Sequence, residues 1–236
     1  MTPTLARKAT SEAVGTALLV AVVVGSGIFA QRLSPDDVGL QLLENSTATA
    51  GGLVALILAF GSVSGAHFNP VVSLADRILG GLTNRELLAY LPAQVVGACA
   101  GAVVANLMFD LDAITLSTHA RDTSGLLLGE VVATFGLVIV ILGVVHSGRS
   151  STAPFAVAGY IAAAYWFTSS TSFANPAVTI GRTLTDTFAG IQPSSAPGFI
   201  TAQVAGGIAA IALARFLFPN APALDLIVPH DRSEAA

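Results

Sequence analysis

The sequence predicts an all-α membrane protein: six transmembrane helices plus two re-entrant half-helices, arranged as an inverted repeat of three spans each. Three observations predict it. The 236 residues are 53% hydrophobic and only 10% charged, whereas a soluble domain carries about 25% charged residues. A chain this apolar cannot present a wetted surface all round, so lipid is its solvent. Charge is also absent from long stretches: none lies between Glu44 and His67, between Glu86 and Asp110, or between Arg149 and Arg182. Finally, the two halves of the chain echo one another in order and spacing.

Crossing a bilayer as a helix takes roughly 20 mostly apolar residues. Six stretches qualify, at about 9–30, 46–64, 87–108, 126–146, 152–168 and 197–218. The first follows Arg7 and Lys8, as the apolar core of a signal peptide would. It is long, however, and its motif recurs later, so it is expected to be a mature span. Two further segments, 67–80 and 173–188, are too short to span, and each contains Asn-Pro. Such re-entrant pieces are tolerated at membrane depth only where they line a cavity or are buried in protein.

Basic residues set the expected orientation. With both termini cytoplasmic, Arg7, Lys8, Arg77, Arg85, Arg149, Arg215 and Arg232 lie inside, and Arg32, Arg121 and Arg182 outside. Seven against three is the asymmetry of the positive-inside rule. The outside loops instead hold Asp36, Asp37, Glu44, Asp110, Asp112 and Asp122. Residues 220–236 read as a short cytoplasmic tail, disordered at its end.

The repeat aligns Ser11-Glu12-Ala13-Val14-Gly15-Thr16 with Gly129-Glu130-Val131-Val132-Ala133-Thr134. It aligns Asn69-Pro70-Val71 with Asn175-Pro176-Ala177, and Ala93-Gln94-Val95-Val96-Gly97 with Ala202-Gln203-Val204-Ala205-Gly206. Three spans per copy is odd, so the second copy sits upside down, and such repeats place their site near the midplane where broken helices meet. Residues 1–110 and 111–219 are the two expected repeats, with half-helices at 69–79 and 175–186.

Asn is a preferred N-cap, and Pro at the first helical position costs no hydrogen bond. Each Asn-Pro therefore starts a helix abruptly. Entering from opposite faces, the two half-helices would point their positive ends, each about half an elementary charge, at one another. That field repels cations at mid-path. The side-chain oxygens of Asn69 and Asn175 would cap backbone amides, and their NH2 groups would offer a solute two donors without fixed charge. A lone Asn-Pro reads as a loop start; two copies at matched positions read as a path through the membrane.

At these residues the sequence resembles the aquaporin, or major intrinsic protein, family. Ser64-Gly65-Ala66-His67-Phe68-Asn69-Pro70 is similar to the signature before the first half-helix, and Phe173-Ala174-Asn175-Pro176-Ala177 to the second. The resemblance implies a passive channel for small neutral solutes, one per subunit of a homotetramer, in a bacterial inner membrane. Two departures stand out. Val71 replaces the usual Ala of the first motif. Val178 replaces the filter Arg that follows the second. Counting without gaps from the asparagines, the remaining filter places fall on Thr49, Ala163 and Ser172, so the constriction is expected to be wide and weakly polar. The run Asn175-Pro176-Ala177-Val178-Thr179-Ile180 with Phe188-Ala189-Gly190 is similar to a bacterial subgroup found with arsenic-resistance genes. That implies neutral metalloid acids and methylated arsenicals as solutes, with glycerol and water beside them. A water-selective pore and an ion-coupled secondary transporter are the alternatives.

Glu12 and Glu130 are ionisable groups inside spans, a functional signal by default. Their matched placement favours support of the re-entrant loops, through accepted backbone amides, over a proton relay. Arg182 lies four residues after Val178, as a displaced outer-mouth charge or as an i,i+4 partner of Asp186. His67 reads as a loop brace before a pH gate. Gln94 and Gln203 read as contacts between helices. Gly97, Gly101, Gly206 and Ala210 form small-residue faces for close helix approach. Tyr160, Tyr165 and Trp166 read as core or interface. Scattered basic residues leave no nucleic-acid footprint. A single cysteine, Cys99, excludes an internal disulfide. With four dispersed His residues and no nucleophile–base pair, no enzyme, metal or cofactor is expected.

Overall fold

The computed structural model describes residues 3–218; the expected tail at 220–236, with Arg232, lies outside the described residues. Eight α-helices follow in chain order: α1 (Leu5–Leu33), α2 (Val38–Ser64), α3 (Pro70–Leu79), α4 (Asn84–Met108), α5 (Ser124–His146), α6 (Ala153–Phe167), α7 (Pro176–Gly181) and α8 (Ala196–Leu217). Their starts follow from local chemistry. Thr4, Asp37 and Thr123 cap α1, α2 and α5 by accepting backbone amides, and Thr83 with Glu86 forms a reciprocal capping box on α4.

Five helices, α1, α2, α4, α5 and α8, are long and apolar enough to cross a membrane. The sixth span, α6, has 15 residues behind a 3-10 turn at Ser150–Thr152. At 1.5 Å per residue it is about 22 Å long, short of a bilayer core of about 30 Å. It stops where Thr168 turns its hydroxyl back onto the Ala164 carbonyl at 2.7 Å and the chain re-enters as a loop.

The two halves are packed alike. α1 lies along α4 as α5 lies along α8, and both half-helices, α3 and α7, pack against the last helices of the two halves, α4 and α8. Glycine permits the closest contacts: a Cβ at Gly97 or Gly101 would meet the backbone of Ala13 or Ala17, and one at Gly206 the backbone of Val131. Leu18, Phe29, Val96, Leu128, Phe155, Ile208 and Phe216 stand exposed on the outer faces. Exposed apolar side chains spread over so many helices suit a lipid surround.

Candidate functional site

Both half-helices begin as their dipeptides dictate. Asn69 Oδ1 accepts the amide of Val71 at 2.9 Å, and Asn175 Oδ1 accepts those of Ala177 and Val178 at 3.0 and 3.2 Å. The two amino groups then cross over. Asn69 Nδ2 donates to the Ala174 carbonyl at 2.7 Å, and Asn175 Nδ2 donates to the Phe68 carbonyl at 2.7 Å. Each side chain thus spends one of its two N–H hydrogens on the opposite loop and retains one.

The loops before the asparagines are held in a costly shape. Ala66 and Phe68 (φ 49° each) and their counterparts Ser172 (φ 52°) and Ala174 (φ 47°) all sit in the left-handed region. Such residues cost of order 1–3 kcal/mol each and persist only where the surroundings hold them. Glu12 and Glu130 supply the hold. Glu12 accepts the amides of His67 (3.0 Å) and Phe68 (2.7 Å), together with Ser64 Oγ (2.6 Å) and Gln94 Nε2 (2.8 Å). Glu130 accepts the amides of Phe173 and Ala174, both at 2.8 Å, and Gln203 Nε2 at 2.6 Å. Each glutamine also donates to a hydroxyl one turn into the half-helix, Gln94 to Ser73 and Gln203 to Thr179, at 2.9 Å. In a planar trans peptide, fixing an amide turns the carbonyl of the same plane away from the carboxylate.

A cavity of about 90 Å³ runs through this centre. One water needs roughly 10–15 Å³, so the cavity has room for several. Asn69 and Asn175 line it, between walls of Leu53, Ile57 and Ile161. At one end stand Gly65, Ala66 and His67; His67 Nδ1 is 3.1 Å from Ser73 Oγ and Nε2 is 3.4 Å from Asp76 Oδ2. At the other end stand Thr49, Tyr165, Ser172, Val178 and Arg182. Tyr165 and Thr49 share a hydrogen bond of 3.2 Å.

Four expectations are corrected here. Ala163 does not line the cavity: it is exposed on the outside of α6, while Ile161 and Tyr165, one turn apart, face inward. Ala163 and Tyr165 are two residues apart, about 200° round a helix, so a gapless count from Asn175 that misses by two lands on the opposite face. Tyr165 is therefore a lumen residue, missed because an isolated aromatic near a helix end looks like interface. The second half-helix is shorter than 175–186. α7 ends at Gly181 and continues as a 3-10 turn, Arg182–Leu184, into extended Thr185. That break removes the helical register between Arg182 and Asp186. Asp186 instead accepts the amide and hydroxyl of Thr118, at 2.8 and 3.0 Å, from the loop after α4.

Arg182 is only 3% exposed. Its Nε donates to the Ala189 carbonyl, and its guanidinium carbon sits 3.3 Å from the centre of the Phe173 ring.

A lined lumen between two inverted half-helices has clear relatives. The family model described as "Major intrinsic protein" matches residues 1–172. The chain belongs to the major intrinsic protein family. It is 50% identical over 217 residues to the aquaglyceroporin AqpS of Rhizobium meliloti (strain 1021), covering 92% of each chain. It is 29% identical over 245 residues to the probable aquaporin AqpM of Archaeoglobus fulgidus, covering 92% of this chain and 99% of that one. Its fold matches the X-ray structure of the aquaglyceroporin from Plasmodium falciparum with a TM-score of 0.69, at 18% identity over 92% of this chain. As a major intrinsic protein it is a membrane channel for small solutes and not an enzyme.

Proposed function

We propose that this major intrinsic protein conducts neutral solutes bulkier than water, metalloid acids and methylated arsenicals among them, with glycerol and water passing too. The observation that carries the reading is Val178. It follows Asn175-Pro176-Ala177 directly, lines the cavity, and brings neither the bulk nor the charge of an arginine. Thr49 and Ser172 beside it are small and weakly polar. Asn69 and Asn175 hydrogen-bond the passing solute, and the opposed half-helix ends disfavour cations at the centre. Glu12 and Glu130 support the loops. Residues 1–110 and 111–219 act as the two repeats. The chain is proposed to work as a homotetramer in a bacterial inner membrane with both termini cytoplasmic, which puts Arg182 at the outer mouth.

A water-selective pore is the second reading, and Tyr165 with Arg182 favours it, since both bring bulk to the end where Val178 leaves room. Stopped-flow light scattering on proteoliposomes separates the two. Rapid uptake of glycerol and arsenous acid alongside water supports the wide filter; water flux with neither solute supports the narrow one.

A further inference from the structure

Two guanidinium groups gather at the Arg182 end of the lumen, and neither meets a carboxylate. Arg182 Nε is spent on the Ala189 carbonyl, and Arg121 Nε on the next carbonyl along, Gly190, at 3.0 Å. Both lie against one ring: the guanidinium carbons stand 3.3 Å and 5.1 Å from the centre of Phe173. Among the described residues neither arginine has an ion-pair partner, and their terminal nitrogens make no protein hydrogen bond. The nearby acids are engaged elsewhere, Glu130 by the Phe173 and Ala174 amides and Asp186 by Thr118. A guanidinium as buried as that of Arg182, with no carboxylate in contact, keeps part of its desolvation cost, although Glu130 acts on it from a distance. A mobile anion would relieve that cost.

The cavity around Arg182 is built to receive one. Ser172 lines it, is 4% exposed, and its hydroxyl has no hydrogen-bond partner. Tyr165 and Thr49 add two more hydroxyls, and Val178 forms an apolar wall. The loop after α4 is tied to the segment that follows Arg182, with the Thr115 and Ser117 amides donating to the Leu184 and Thr183 carbonyls at 3.1 and 3.0 Å.

We propose that this mouth is a docking site for a small oxyanion of single charge, held by the Arg182 fork and the Ser172 hydroxyl, with Arg121 adding field. A guanidinium grips the paired oxygens of a carboxylate, sulfonate or phosphonate bidentately. A cavity of about 90 Å³ suits a compact anion, and Val178 offers its apolar end a wall. Bound there, the anion stands in the solute path and slows flux. The inference rests on reading the cavity as that path.

Methanesulfonate is the probe, because it stays ionised and does not cross lipid as a neutral acid. Glycerol flux into proteoliposomes of the full chain is measured with increasing external methanesulfonate, sodium gluconate holding ionic strength constant. Calorimetric titration of the detergent-solubilised protein reads binding directly. Saturable inhibition and saturable binding are expected in the parent, each weakened roughly tenfold or more by Arg182→Gln, the loss of a charged hydrogen-bond partner. Arg182→Lys, which retains the charge, should retain part of both, and Arg121→Gln should weaken binding less than Arg182→Gln. No saturable binding in the parent, or equal binding in parent and Arg182→Gln, overturns the site. If glycerol does not pass at all, the solute-path reading fails while the titration still decides the anion site. Should Arg182→Gln not fold, Arg182→Lys and Ser172→Ala carry the test, and unchanged binding in both overturns it.

Discussion

Asp76 and Arg182 stand seven residues beyond Asn69 and Asn175, at matching places in the two half-helix segments, an acid in one and a base in the other. Their partners match as well. Asp76 faces His67 at 3.4 Å, and Arg182 lies over Phe173, each partner being two residues before its asparagine. Because the repeats are inverted, one scaffold position serves opposite ends of the lumen. An acid–imidazole pair supports one end and a cation on an aromatic ring closes the other. The fold is pseudo-symmetric; its electrostatics are not.

Deleting a loop-holding carboxylate should unfold the channel rather than open it. Glu130→Ala leaves the amides of Phe173 and Ala174 without an acceptor, at about 1–3 kcal/mol each for a buried unsatisfied group, and frees one N–H of Gln203, whose other N–H stays on Thr179. Glu130→Gln keeps an acceptor and should fall between that variant and the parent. Thermal unfolding in detergent orders the three; equal midpoints for Glu130→Ala and the parent would contradict the role.

Helix approach depends on glycine at particular places. Gly97→Ala and Gly206→Ala drive a methyl into the backbone of Ala13 or Val131, and each should lower the unfolding midpoint sharply. A Cβ at Gly143 meets nothing within 4 Å, so Gly143→Ala should be neutral or gain about 0.4–1 kcal/mol from a less flexible unfolded chain. The same melts check all three.

Width at the Arg182 end should set solute size. Val178→Arg is expected to cut glycerol and arsenous acid flux at least tenfold while sparing water, and Tyr165→Ala to raise the flux of larger polyols. Stopped-flow rates at matched protein density measure both. Unchanged solute flux in Val178→Arg would remove that residue from the account.

Asp186 links the loop after α4 to the segment after α7, and its hydrogen bonds, the Thr118 amide first, hold its carboxyl below the usual carboxylate range. A lowered folded-state value means that the tie contributes above the ordinary carboxylate pKa and is lost as pH falls through the depressed one. Hydrogen exchange at the Thr118 amide, corrected for its intrinsic pH dependence, should therefore lose protection on acidification. Asp186→Asn should lose it at neutral pH.

Much of this fold could be read directly. Lipid forbids unpaired backbone, so apolar length alone located six helices to within a few residues except at the early starts of α1 and α2. Internal matching brought out the Asn-Pro pair and the two glutamates, because identical jobs in two copies leave identical residues. What could not be read was whatever differs between the copies. The register of α6 turns Ile161 and Tyr165, and not Ala163, into the lumen. The early end of α7 turns Arg182 toward Phe173 and away from Asp186. Side-chain bonds close to the helix ends accompany both, Thr168 back to the Ala164 carbonyl and Arg182 on to that of Ala189.

The crossed asparagine bonds also bear on how transport works. Asn69 is fastened to the chain just before Asn175, and Asn175 to the chain just before Asn69, so neither half can rock against the other without rupturing both links at once. An alternating-access cycle would have to break that clasp on every turnover. A conduit joined at its waist works without such movement, and any closing device must act at its ends.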